Sequence, residues 1–172
     1  MCEIFDKHIS TLQKTSIDTC NGKDMTNSQY PVVDFDEVKD EYIDKNSLKL
    51  KDIPSSVDAI LKKGNDIFFI EFKNGRLDAK DVYDIRKKIY DTLLIYGDIT
   101  GNTINYTREF VEFILVCNAE RNSKENLAET FQKNKMSESS LFSPLFPFEK
   151  YCFKKISVYT KAGFKQNFTN NL

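Results

Sequence analysis

The stretch SVDAILKKGNDIFFIEFK, Ser56–Lys73, holds two runs rich in Val, Ile, Leu and Phe, Ser56–Lys62 and Asp66–Lys73, joined by Lys63-Gly64-Asn65. Gly-Asn is a favoured pair for a two-residue hairpin turn, and the flanking composition is that of strands. With Gly64 and Asn65 at the turn, Lys63 faces Asp66. Counting outward pairs Lys62 with Ile67, Ile60 with Phe69, and Asp58 with Glu71. Directly opposed residues share a face, with Cβ atoms about 4.5–5.5 Å apart. Lys73 lies two residues beyond Glu71 and so joins that face, roughly 6.6 Å further along.

Such a placement needs a chemical reason. Two carboxylates opposed on a sheet repel each other, and burying them among Phe, Ile and Val raises a pKa or demands a partner. Lys73 offsets only part of this. A hard divalent cation, Mg²⁺ or Mn²⁺, resolves it: it takes oxygen ligands and keeps waters that a phosphate can displace. Asp58, Glu71 and the main-chain carbonyl of Phe72 are the expected metal ligands. The triplet acid-x-Lys is uninformative alone, because it recurs at Glu37–Lys39 and Asp78–Lys80. Only Glu71–Lys73 follows an apolar strand and has an acid opposite it. The competing reading is a solvent-facing cluster with a purely structural role.

Working outward, Asp34–Lys45 reads as a short helix with acids in its first turn and a stripe of Phe35, Val38 and Tyr42. Cys2–Lys14 has weakly helical spacing, and residues 16–33 read as a polar, turn-rich connection. Ser47–Ile53 alternates enough for a short strand. Leu77–Asp98 is a long helix that buries Val82, Ile85, Ile89, Leu93 and Tyr96, with Asp84 and Lys88 as an i,i+4 pair on the solvent side. Glu109–Cys117 reads as an interior strand, Ser123–Lys133 as a helix and Tyr151–Tyr159 as a last strand. Antiparallel strands followed by a helical crossover predict an α/β fold with a central mixed sheet flanked by helices.

The 172 residues fit a single domain. An apolar fraction of 40% excludes a disordered chain. No run approaches the roughly 20 apolar residues of a membrane span, and the N-terminus lacks a secretion-signal pattern. A cytoplasmic protein without membrane contact is expected. The cysteines at 2, 20, 117 and 152 form no C-x-x-C pair, which argues against zinc, and Cys117 and Cys152 read as small core residues. His8 is the sole histidine, which excludes histidine-rich metal sites and HExxH chemistry. Phosphate loops of the GxxxxGK type are absent. Any chemistry must run on carboxylates and lysines.

Ser56-Val57-Asp58-Ala59-Ile60 followed by Ile70-Glu71-Phe72-Lys73-Asn74-Gly75 resembles the PD-(D/E)XK nuclease superfamily. The resemblance implies a restriction-endonuclease-like core, helix-strand-strand-strand-helix-strand, over residues 34–117. An additional helix and strand would follow in 118–160, with 1–30 and 161–172 partly flexible. It also implies catalytic roles: Asp58 and Glu71 would hold the metal, and Lys73 would orient or activate the attacking water. An acid on the first helix, Glu41 or Glu37, would complete the site. The motif's proline does not directly precede Asp58, since Pro54 stands four residues back. Some relatives carry Gln and Tyr four apart on the following helix, where this chain has Arg86 and Tyr90.

The net charge of −1 gives no global attraction to nucleic acid, so a local patch must supply it. Arg76, Lys80, Arg86 and Lys87 follow the motif and are candidate phosphate-binding residues. The expected function is therefore metal-dependent hydrolysis of nucleic-acid phosphodiesters, DNA being favoured over RNA. The alternative is a catalytically inactive binding or interaction module on the same fold. The apolar loop Leu141–Phe148 either covers the core or forms a subunit contact in a homodimer.

Overall fold

The computed structural model describes residues 3–18, 22–46, 51–122 and 141–172. Its strands are β1 (Ile9–Thr11), β2 (Pro31–Asp34), β3 (Ala59–Lys63), β4 (Asp66–Lys73), β5 (Val111–Cys117) and β6 (Lys155–Thr160). They form one six-stranded sheet in chain order. The pairs β1·β2, β2·β3 and β3·β4 are antiparallel, while β4·β5 and β5·β6 are parallel. The molecule is thus a mixed α/β fold with a mixed sheet.

The hairpin keeps the register counted from its turn: Lys63 faces Asp66, Lys62 faces Ile67 and Ile60 faces Phe69. Gly64 adopts φ +61°, a left-handed conformation in which a side chain is strained. Asn65 does not share it, as in turns with glycine at the first central position.

Helices cover the sheet as the periodicity predicts. α3 (Phe35–Lys45) starts at Asp34, whose side chain accepts from the Glu37 N–H. α4 (Ala79–Thr100) begins at a capping box of Asp78 and Asp81 and ends at Gly101 in the left-handed region. Its buried face contains Val82, Ile85, Ile89, Leu93 and Tyr96, and also Thr92 and Ile95. These pack with Ile60, Phe69, Phe113 and Leu115 on one side of the sheet. On the other side Ala59, Leu61, Ile70, Phe72 and Ile114 pack with Leu12 and Phe164. β5 is covered on both faces, which explains its almost uninterrupted apolar sequence.

Several elements differ from the sequence reading. β1 and β2 lie where a helical stretch and a connecting loop were expected. They are only three and four residues long, too short for alternation to register against the turn residues around them. α1 (Glu3–Lys7) and α2 (Leu12–Thr15) flank β1. α5 (Ile104–Phe110) precedes β5. The last strand begins at Lys155, and a kinked turn, Phe148–Tyr151, stands before it. The C-terminal stretch folds as a helix, Lys161–Asn167, because Phe164 is fully buried against Phe72 and Phe168. In the Leu141–Phe148 loop, Phe142, Leu145 and Phe148 are buried in the core, so it covers the core. The helix expected over Ser123–Lys133 and the Ser47–Leu50 part of the expected short strand lie outside the described residues. Residues 51–53 form no strand. No helix among the described residues is long and apolar enough to cross a membrane.

Phe69 sits at the centre of this packing, fully buried, edge-on to Tyr96 at 5.1 Å and to Phe153 at 5.9 Å. Phe69→Ala should lower unfolding free energy by about 3–5 kcal/mol in urea denaturation, the range for a large ring removed from a core.

Candidate functional site

The paired ladder begins at Ala59–Ile70, one residue after Asp58; the same count carried one step further sets Asp58 across from Glu71, and both line one cleft. Asp58 is clamped from two directions. Its carbonyl accepts from the Phe35 N–H at the start of α3 (3.2 Å), and its Oδ2 accepts from the Phe72 N–H (2.6 Å). The residues before it are fixed to α4: Ser55 N–H donates to Asp91, and Val57 N–H donates to Thr92 Oγ1. The backbone around Asp58 therefore cannot shift without breaking contacts to two helices and a neighbouring strand.

Glu71 is fully buried. Its partner is Lys88, from α4. The Lys88 ammonium stands 2.8 Å from Glu71 Oε1 and 2.9 Å from Oε2, and 3.4 Å from Asp58 Oδ1. It donates hydrogen bonds to Glu71 Oε2 and to Asp58 Oδ1. Oε1 remains buried without a hydrogen bond, although Lys73 Nζ also lies 3.5 Å away. Its charge is met by the Lys88 and Lys73 ammonium groups as ion pairs.

Burial first, and then the Glu71 charge, push Asp58 up to about 8. Burial also raises Glu71, against the pull of Lys88 and Lys73. For Lys88, burial alone favours loss of the proton, but attraction to Glu71 and Asp58 outweighs it and holds its pKa above the usual lysine value. The cluster is therefore strongly perturbed carboxyl chemistry in a cleft, the pattern typical of functional sites.

That cleft has a volume of about 590 Å³ and lies at the carboxyl ends of β4 and β5, where open α/β sheets commonly receive ligands. Beyond Asp58, Glu71, Lys73 and Lys88, its lining includes Asp36, Asp81 and Arg121. A second cavity of about 550 Å³, along Tyr90, Leu94 and Tyr151, has no comparable chemistry and is separate from the cluster. Three buried asparagines, of which Asn74 lines the cleft, brace the chain beside it. Asn118 bridges to Asn74, Asn74 to Asp18, and Asn122 accepts from the Leu77 N–H. They anchor the chain just beyond Lys73, whose carbonyl accepts from the Asn118 N–H.

The structure brings together Asp58, Glu71 and Lys73, with Phe72 between them presenting its main chain toward Asp58. It does not bring Glu41 or Glu37. Glu41 forms ion pairs with Lys45, His8 and Lys7, and the Lys45 and His8 bonds hold its carboxyl down to about 2. Glu37 is exposed beside the Asp34 cap. The acid of α3 at the cleft is Asp36, whose Oδ1 accepts from the Ser56 hydroxyl. Glu41 lies about 7.5 Å further up the helix axis, turned well away from it. Arg76, Lys80 and Lys87 are exposed and outside the cleft lining, and Arg86 stacks over Phe148 at 5.8 Å. The basic groups at the cleft are Lys73, Lys88 and Arg121.

Lys88 was expected on the solvent side with Asp84. It borders the apolar stripe instead, three residues from Ile85 and four from Thr92, so its long stem runs inward while its head meets the carboxylates. Its border position was a visible signal. Arg121 follows an interior strand by a few residues, which is a weaker one.

The donor types suit a hard cation, two opposed carboxylates and a nearby main chain, with Lys88 paired to both acids. Among the described residues, no group of three or more His, Cys, Asp or Glu is gathered closely enough to hold a metal by itself. No family model matches the chain, and no curated protein or solved structure matches it significantly.

Because Asp58 binds its proton more tightly in the folded chain than in the unfolded one, the unfolded state carries fewer protons between about pH 4 and pH 8. Stability then falls as pH rises through that window. Urea denaturation in chelator-treated buffer should show this decline, and Asp58→Asn should flatten it. An unchanged slope in the variant would show that Asp58 does not titrate in this range.

Proposed function

We propose that the chain is a metal-dependent phosphodiesterase acting on nucleic acid, on a restriction-endonuclease-like core of α3, β3, β4, α4 and β5, which among the described residues has two strands between the helices where the resemblance implies three. The observation that carries this reading is Glu71, fully buried and set beside Asp58 in the lining of the cleft. A buried acid pair of this kind is costly unless it serves a cation or a proton transfer.

Asp58 and Glu71 would hold Mg²⁺ or Mn²⁺, with the Phe72 carbonyl as a further ligand. When bound, such an ion polarises a phosphate oxygen and lowers the pKa of a coordinated water. The remaining work falls to this chain's own side chains. Lys73, partly exposed beside Glu71, would orient the attacking water and meet charge that develops on the phosphate. Arg121 would hold a neighbouring phosphate at the mouth of the cleft. Asp36, held by the Ser56 hydroxyl, would accept a hydrogen bond from a water in the cleft.

The other reading is a binding or interaction module without catalysis. The Lys88 ion pair favours it, since this ammonium already offsets the two carboxylates. Incubation with DNA and RNA in Mg²⁺ or Mn²⁺ separates the two. Cleavage should vanish with chelator and in Asp58→Ala and Glu71→Ala, which remove the metal ligands, and fall by about 100-fold or more in Lys73→Ala, the scale of losing one group that acts on the attacking water. Cleavage that persists in folded Glu71→Ala would defeat the nuclease reading.

A further inference from the structure

The Lys88 ammonium occupies the place between the two carboxylates that a divalent cation would take, within 3.4 Å of Asp58 and 2.9 Å of Glu71. We infer that Lys88 is a built-in competitor for the cation: it holds the Asp58–Glu71 seat and must swing out when a metal enters. This inference rests on the metal-site reading above.

Three observations support it. First, two positive charges cannot share one small buried seat, because their repulsion in a poorly screened interior is large. Second, the ammonium is shared between both acids. It donates to Glu71 Oε2 at 2.9 Å and, at a long 3.4 Å, to Asp58 Oδ1, and it stands 2.8 Å from Glu71 Oε1, so it engages the same carboxylate oxygens that a cation would bind. Third, the side chain has somewhere to go. It is about one-fifth exposed and opens onto the 590 Å³ cleft, where Asp81 on the same helix can receive the displaced charge. Its root is fixed by the buried neighbours Ile85, Ile89 and Thr92, so the movement is confined to the four-carbon stem.

Consequently Lys88 stabilises the metal-free fold by neutralising buried acids and lowers the affinity for the cation by the same contacts. Once displaced, its charge faces the cleft, where a phosphate would be held.

Calorimetric titration with Mn²⁺ tests this on the full chain. Lys88→Met keeps the stem and removes the charge, and Lys88→Gln keeps a hydrogen-bond donor for Glu71. At least one folded variant should bind Mn²⁺ about tenfold more tightly or better than the unmodified protein, with a larger rise in melting temperature on adding Mn²⁺. Glu71→Ala should abolish that binding, which assigns it to this seat. Equal affinity with and without Lys88 overturns the competitor role and leaves the metal site standing. Weaker binding in a folded variant also overturns it. If neither the unmodified protein nor a folded variant binds Mn²⁺, the metal-site reading itself falls. A separate measurement does not depend on any variant folding: acetylation of Lys88 by an amine-reactive anhydride, followed by mass spectrometry. Mn²⁺ should raise its rate several-fold as the ammonium leaves the carboxylates, and an unchanged or lower rate overturns the inference.

Discussion

The charge cluster at Glu71 constrains everything around it. A carboxylate with no solvent access, facing a second carboxylate, must be neutralised, protonated or coordinated. Lys88 meets this demand from α4, and to do so the helix must lie across the end of the hairpin at one height and one rotation. The capping box at Asp78 fixes where that helix begins, and so which residue arrives at the cluster. The loop before Asp58 is tied to the same helix through Asp91 and Thr92. Strand, loop and helix thus share a common reference in one small polar group.

The core and the cleft depend on each other through the same strands. On β4, Ile67, Phe69 and Glu71 point to the α4 side, while Ile70 and Phe72 point to the other. Apolar layers on both faces exclude water from the end of the strand. That dryness raises the carboxyl pKa values, and it makes an ammonium or a cation worth more there than in water. The buried asparagines past Lys73 keep the strand end from fraying, so its carboxylate and lysine stay at fixed distances. Packing therefore sets the electrostatics, and the electrostatics limit how the packing can vary.

Much of this was legible in the residues. Gly64-Asn65 between two β-rich runs specified the hairpin, and a period of two then fixed which side chains share a face. The placement of Asp58 across from Glu71 follows from counting alone. The stripe of α4 and the two-sided apolar character of β5 were equally plain, because regular elements repeat their pattern over several turns or residues. The short strands β1 and β2 were not, since three or four residues cannot display a period. The terminal helix was hidden by its polar composition, a single buried phenylalanine doing the anchoring.

The sequence by itself determined the hairpin, its register and a carboxylate pair with a lysine on one face, because turn chemistry and alternation are local. Only the tertiary structure decided which distant groups complete the cluster. Lys88 in place of a solvent pair, Asp36 in place of Glu41 or Glu37, and Arg121 in place of Arg76 or Arg86 all depend on how separate elements are rotated and stacked. No local period encodes that rotation. It is set by the sum of many apolar contacts across the sheet, and charges at the border of a buried stripe turn inward or outward according to what those contacts place opposite them.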